Sequence, residues 1–228
     1  AYTKQPIPEG VRSSYEKTNY LHYTFSMAGQ KISKIFVNSE EHGVQNVSMN
    51  IYVMERKLLI DEIKKGFVLG NKFFERDVLA PQTEKLNIQG YEFTGYQARI
   101  DDMKSYFDEN MKLLKDENLD SLFSGNPIYT KVRDDNPTRY INGSKAKNVM
   151  VADGCVIEGE IENSILFRGV KVAKGAKVKN CILMQDTVIE AGAEIEYVVS
   201  DKYVTVSEGK QLKGTDSFPV FIAKDQVV

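Results

Sequence analysis

Two different hydrophobic periods divide the chain. His22-Tyr23-Thr24-Phe25-Ser26-Met27 alternates and predicts a strand with Tyr23, Phe25 and Met27 on one face. Val47 to Val53 alternates again and sets Val47, Met49, Ile51 and Val53 together. A helix is predicted over Arg56–Lys65, with Leu59 and Ile63 four apart and Gly66 as its stop. A second helix carries Met103, Phe107 and Met111 every four residues, closed by Leu114. Asp101 or Asp102 suits its N-cap and complements its dipole. These signals make residues 1–125 an α/β layer, small to stand alone.

From Val149 onward a longer period takes over. Val151-x-x-Gly154-x-x-Ile157 recurs as Val172-x-x-Gly175-x-x-Val178, as Ile189-x-x-Gly192-x-x-Ile195 and as Val206-x-x-Gly209-x-x-Leu212, with starts 21, 17 and 17 residues apart. A second phase runs through Asn163-Ser164-Ile165-Leu166, Asn180-Cys181-Ile182-Leu183 and Tyr197-Val198-Val199. A period of about 18 is three hexapeptides, one triangular coil of a parallel β-helix. Each inward apolar side chain then contributes roughly 1.5–3 kcal/mol, and glycine suits corners that need φ > 0. A β-sandwich would not hold a glycine in phase over such distances. The domains expected are an α/β part at 1–125, a connector at 126–147 and a hexapeptide-repeat β-helix at 148–228. Cys155 and Cys181 fall in slots where sister coils have Ala176, Ala193 or Ser164, and read as small buried fillers rather than nucleophiles.

The connector is rich in turn formers, Asp134-Asp135-Asn136 between two prolines. Its cations Lys131, Arg133 and Arg139 are either a solvated linker surface or a set that binds a sugar phosphate or other effector. The net charge of −2 over 228 residues argues against nucleic acid, which demands a basic surplus. No apolar run suits a membrane span and residues 1–14 have no secretory h-region. With two cysteines and no disulfide framework, a cytoplasmic protein is expected. An acyltransferase built on the coils would need a histidine base there, but His22 and His42 both lie outside the repeat.

Read together, Ser48-Met49-Asn50-Ile51-Tyr52-Val53, Asp77-Val78-Leu79-Ala80-Pro81, Gly95-Tyr96, Ser105-Tyr106, Asn110-Met111, Pro127-Ile128-Tyr129-Thr130 and the coils resemble the ADP-glucose pyrophosphorylase family. These are glucose-1-phosphate adenylyltransferases, which make the glucosyl donor for glycogen. The resemblance covers nearly the whole chain. It implies α/β + β: part of a Rossmann-like nucleotidyltransferase domain, then a left-handed parallel β-helix, although the general crossover rule favours right-handed connections. Family members begin with a glycine-rich GGxGTRL-type loop that cradles the triphosphate, and nothing like it occurs here. The resemblance therefore implies a fragment lacking the nucleotide-binding half.

The family's reaction needs a divalent metal between phosphates and carboxylates. Mg²⁺ is expected for the holoenzyme, with no cofactor bound by this fragment. The resemblance places an aspartate two residues after a tryptophan at the Gly-Tyr strand end; here those places are Gln97 and Arg99. A guanidinium repels the metal, and a unit pair at 4 Å is worth about 4 kcal/mol at an effective dielectric near 20. The family's Glu-Lys-Pro is Asn38-Ser39-Glu40 here, and its Asp-Phe-Gly is Phe73-Phe74-Glu75. Ser48, Tyr52 and Phe74 match uncharged sugar-site positions, for which plain packing is the alternative role. The expectation is a degenerate sugar-phosphate site of Ser48, Tyr52, Phe74, Gln97 and Arg99, without catalytic residues or metal ligands. Arg99 would pair with Asp101, Asp102 or a phosphate ligand. The resemblance implies a regulatory, catalytically impaired subunit whose partner is a catalytic pyrophosphorylase subunit. It further implies a hetero-oligomer such as a tetramer, or a homo-oligomer through the β-helix, with a small-molecule effector. The alternatives are an active nucleotidyltransferase with metal ligands relocated to Asp101 or Asp102, and a scaffolding module without ligand.

Overall fold

The structure, a computed structural model, describes residues 1–6, 22–39, 43–125 and 127–228. His42 and Glu40 lie outside these. By internal contact the chain forms two units, Ala1–Gly95 and Tyr96–Val228.

The first unit is built on strands β1 (Tyr2–Pro6), β2 (Tyr23–Ala28), β3 (Lys31–Val37) and β4 (Val44–Ser48), in the order β1-β4-β2-β3. Its strand pairings are antiparallel, and β2 turns into β3 at Gly29, where φ is +64°. Tyr23 and Phe25 are buried with Tyr2, Ile32, Ile35 and Leu79, and Met27 packs beside them, which is the face the alternation predicts. His22 is buried just ahead of β2.

The second alternating run is cut short. Strand β4 stops at Ser48 because Asn50 adopts φ 55° and its N–H bonds back to Ser48 Oγ at 3.1 Å. Ile51 and Val53 are exposed, Val53 to 99%, so the four-residue face from Val47 to Val53 does not form. Helix α1 (Arg56–Leu69) also departs from expectation by running straight through Gly66. It ends at Gly70, left-handed at φ 73°, whose N–H joins the carbonyl of Phe67. Gly66 is instead buried on the helix face, where an added Cβ would meet Asn71 at 3.4 Å and Val78 at 3.7 Å. Ile63 is left exposed.

In the second unit, helix α2 (Met103–Lys112) is capped by Asp102. Asp102 accepts from the Ser105 backbone N–H at 2.7 Å, and Ser105 Oγ accepts from the Asp102 N–H in return. A short helix α3 (Asp116–Phe123), not anticipated, follows. The parallel β-helix begins with the two-residue strand Arg139–Tyr140, inside the stretch read as connector.

Its rungs stack in three columns. Ile157, Val172, Ile189 and Val206 line one wall; Ala146, Ile161, Val178, Ile195 and Leu212 a second. The third holds Val151, Leu166, Leu183, Ser200 and Ile222. The first sequence match is thus out of phase with the other three, since Val151 stacks on Leu166 and not on Val172. The pattern there spans a different corner of the coil, and the first coil is also short: Lys145 faces Glu160, 15 residues on, whereas Lys177 faces Glu194, 17 on. These pairs, with Lys147–Glu162, form a ladder of alternating charge on the outside of the second wall. Asn148, Asn163 and Asn180 turn the chain at left-handed φ, and Asn148 donates to Asn163 at 2.8 Å.

Apart from the inward Ser200, whose Oγ lies 3.1 Å from Thr187 Oγ1, the third wall is apolar on both faces around Ile182. Ile182 and Val199 point outward, yet both are 0% exposed, because Phe107, Met103, Tyr106 and Met111 cover them. This apolar seal groups α2 with the coils by contact, although its sequence position groups it with the α/β part. Cys181 sits level with Ser164, whose Oγ accepts from its N–H at 3.0 Å. Cys155 instead sits level with Val170, Thr187 and Val204, not with Ala176 and Ala193. Both thiols are buried; desolvation raises the Cys155 thiol and pushes that of Cys181 up to about 12, as inert fillers require.

Candidate functional site

In the first unit the end of β4, the turn after it and the helical turn Phe74–Leu79 bring three of the expected positions together. Ser48 Oγ lies 3.1 Å from Tyr52 Oη, and that phenol donates to Glu75 Oε1 at 2.7 Å. Phe74 stands edge-on to Tyr52, ring centroids 5.9 Å apart at 69°. Burial, opposed by the Ser48 hydrogen bond, raises the Tyr52 phenol well above its ordinary range, so it acts as a neutral donor. Glu75 completes this network and was missed as a site residue, because nothing in its spacing links it to Tyr52 before the chain folds. The neighbouring Asp77 accepts from Arg76 and from the backbone N–H groups of Phe73 and Lys72, which hold its carboxyl well below the usual range. It anchors a turn.

Gln97 and Arg99 belong to the second unit, in the non-helical stretch ahead of α2, and both are partly buried. Arg99 Nε donates to Asp101 Oδ2 at 2.8 Å and to Oδ1 at 3.2 Å, with the two side chains only 24% and 19% exposed. Asp102 is committed to the helix cap. Tyr96 donates to Glu109 at 2.9 Å, and burial pushes its phenol up to about 12. A magnesium ion needs anionic oxygens with free lone pairs. Around residue 99 one carboxylate is held by a guanidinium and the next by backbone, so this donor set does not fit the metal. Among the described residues no cluster of three or more His, Cys, Asp or Glu has metal-binding geometry.

The connector cations separate in role. Arg133 Nη2 donates to Asp135 Oδ1 at 3.0 Å, and Arg168 Nε lies 4.0 Å from Asp135 Oδ2. Lys131 is exposed, and its carbonyl accepts from Arg168 at 3.4 Å. Arg139 opens the first rung and borders a cleft of about 300 Å³ whose lining includes Asp135, Val156, Lys171 and Asp186. Lys171 reaches that cleft only through coil stacking, Arg139 on Val156 and Val156 on Lys171. Linear sequence gives no sign of it.

Residues 131–217 match the GlmU-like, C-terminal hexapeptide family. The chain is 41% identical over 181 residues to the glycogen biosynthesis protein GlgD of Bacillus subtilis (strain 168), covering 79% of this chain and 52% of that protein. It is 41% identical over 132 residues to GlgD of Geobacillus stearothermophilus, covering 58% of this chain and 38% of that protein. Against a glucose-1-phosphate adenylyltransferase of Clostridium perfringens (strain SM101 / Type A) it is 29% identical over 205 residues, covering 80% and 48%. The chain spans about half the length of the curated relatives it matches over most of its own length. No helix among the described residues is long and apolar enough to cross a membrane.

Proposed function

From its relatedness to GlgD and to the glucose-1-phosphate adenylyltransferases, we propose that this chain is part of a regulatory, catalytically impaired subunit in glycogen biosynthesis. The reaction it serves joins ATP and glucose 1-phosphate into ADP-glucose and diphosphate. The observation that carries the reading is the Arg99–Asp101 ion pair. Adenylyl transfer concentrates negative charge between two phosphate-bearing substrates, and catalysis there rests on metal and cationic stabilisation held by carboxylates. A carboxylate whose charge is neutralised by its own guanidinium, beside one that caps a helix, attracts a metal ion far less than a free pair would. Magnesium, in this reading, is held by the partner.

The neutral cluster of Ser48, Tyr52 and Phe74 supports sugar recognition without chemistry, since a phenol and a hydroxyl donate and accept but carry no charge. The partner proposed is a catalytic pyrophosphorylase subunit, joined in a hetero-oligomer to which the β-helix contributes contacts. The test is kinetic. Full-length protein alone, given Mg²⁺, ATP and glucose 1-phosphate, is expected to form no ADP-glucose, yet to raise kcat/KM of the catalytic subunit when mixed with it. Turnover by the full-length protein alone at ordinary enzyme rates overturns the reading.

A further inference from the structure

We propose that the cleft at the first rung of the β-helix is a binding site for a phosphorylated sugar, with Arg139 and Lys171 taking the anionic group. This deepens the regulatory reading on which it rests, by moving the effector site from Lys131 and Arg133 into the coil surface. Three observations carry it. First, Arg139 and Lys171 lie in one outward column, two rungs apart, with half-buried Val156 between them. At the strand spacing of a sheet their backbones are about 10 Å apart, the reach of a hexose bearing a phosphate.

Second, their charges are free. Among the described residues neither Arg139 nor Lys171 makes a side-chain hydrogen bond or ion pair, whereas Lys145, Lys147 and Lys177 are each paired with a glutamate. Arg133 donates to Asp135 Oδ1 at 3.0 Å, while Arg168 stands 4.0 Å from the buried Oδ2, which accepts no hydrogen bond among the described residues. With these two arginines counted beside Arg139 and Lys171, four cations stand at the cleft against Asp135 and Asp186. Third, the lining suits a polyhydroxy body. The Asp186 carboxylate, which takes a hydrogen bond from Gln185 at 2.9 Å, retains lone pairs for sugar hydroxyls, and Val156 offers an apolar seat. Gly169 closes one side, its bare Cα lying under Asp186, so that a Cβ there would fall 2.2 Å from Oδ1.

The test titrates the protein by calorimetry with glucose 1-phosphate, inorganic phosphate and glucose as separate probes. Saturable binding of glucose 1-phosphate is expected, with weaker binding of phosphate and of glucose. Arg139→Gln with Lys171→Gln is expected to weaken glucose 1-phosphate about tenfold or more, since charge-assisted hydrogen bonds are lost. Raising the salt weakens wild-type binding for the same reason. Lys131→Gln and Lys177→Gln are expected to leave the affinity within about twofold, each variant being checked for an unchanged melting temperature. Absence of saturable binding, or the double variant binding as wild type does, overturns the proposal. So does loss of binding in Tyr52→Phe alone, which assigns the sugar phosphate to the first unit. Glucose binding as tightly as its phosphate removes the role of the two cations. Since none of these readouts involves the catalytic partner, their failure is distinct from failure of the subunit reading.

Discussion

Arg99 Nε and Asp101 Oδ2 stand 2.8 Å apart across two residues of chain, both largely withdrawn from solvent. The pair neutralises a stretch that leads directly into the cap of α2, so it has a structural role. Arg99→Ala is expected to lower stability by about 0.5–1 kcal/mol, read as a shift in the urea midpoint at constant slope. The companion Asp101→Ala should cost a similar amount, and the double variant less than the sum. Strict additivity would show that the two charges do not interact.

Phe107 sealing Ile182 and Val199 makes α2 a lid on the coils. Phe107→Ala is expected to cost about 3–5 kcal/mol at that contact. Hydrogen exchange should speed up in 103–112 while the rungs around Ile189 stay protected. If exchange rises evenly across the coils, α2 is part of their core and not a separable layer.

Two left-handed glycines should answer alanine differently. Gly192 has φ +67° and open space around it, so Gly192→Ala carries only the backbone cost of about 1–2 kcal/mol. Gly169 has φ +72° and Asp186 Oδ1 at 2.2 Å from any Cβ, and Gly169→Ala should destabilise by more than that. Differential scanning calorimetry on the two variants ranks them. Equal losses would mean that the Asp186 turn yields without cost.

The Cys181 thiol should resist alkylation by iodoacetamide in the native chain at pH 9, then react once the chain is unfolded. Its folded pKa, about 12, lies above the unfolded value of about 8.5. The stabilisation linked to it is whole below about pH 8.5 and fades as the pH climbs toward 12. Prompt native-state labelling at pH 9, followed by mass spectrometry of the Cys181 peptide, would show that the coil interior opens.

The β-helix was legible because its glycines and apolar residues recur in a rhythm no other architecture keeps. Its phase was not, since the same apolar-x-x-Gly-x-x-apolar pattern occurs at more than one corner, and Val151 begins it one wall away from Val172, Ile189 and Val206. The face of β2 and the cap of α2 were readable from local chemistry, as both depend on neighbours within a few residues. Val47 to Val53 misled for a local reason too: Asn50 in the left-handed region overrides an alternation that is otherwise sound. Of the candidate site, Arg99 was visible as a charge in an unexpected place, and its pairing with Asp101 follows from proximity. Glu75 and Lys171 were invisible, one reaching Tyr52 across 23 residues and the other meeting Arg139 only through stacked rungs.

The ladder of Lys145, Glu160, Lys177 and Glu194 limits how such a solenoid changes size. Excising the coil that carries Glu160 would seat Lys145 over Lys177 and Lys147 over Lys179 at the junction, while taking out the next coil as well sets Lys145 over Glu194. Growth and shrinkage of this wall are therefore favoured in even steps, a parity rule written in charge.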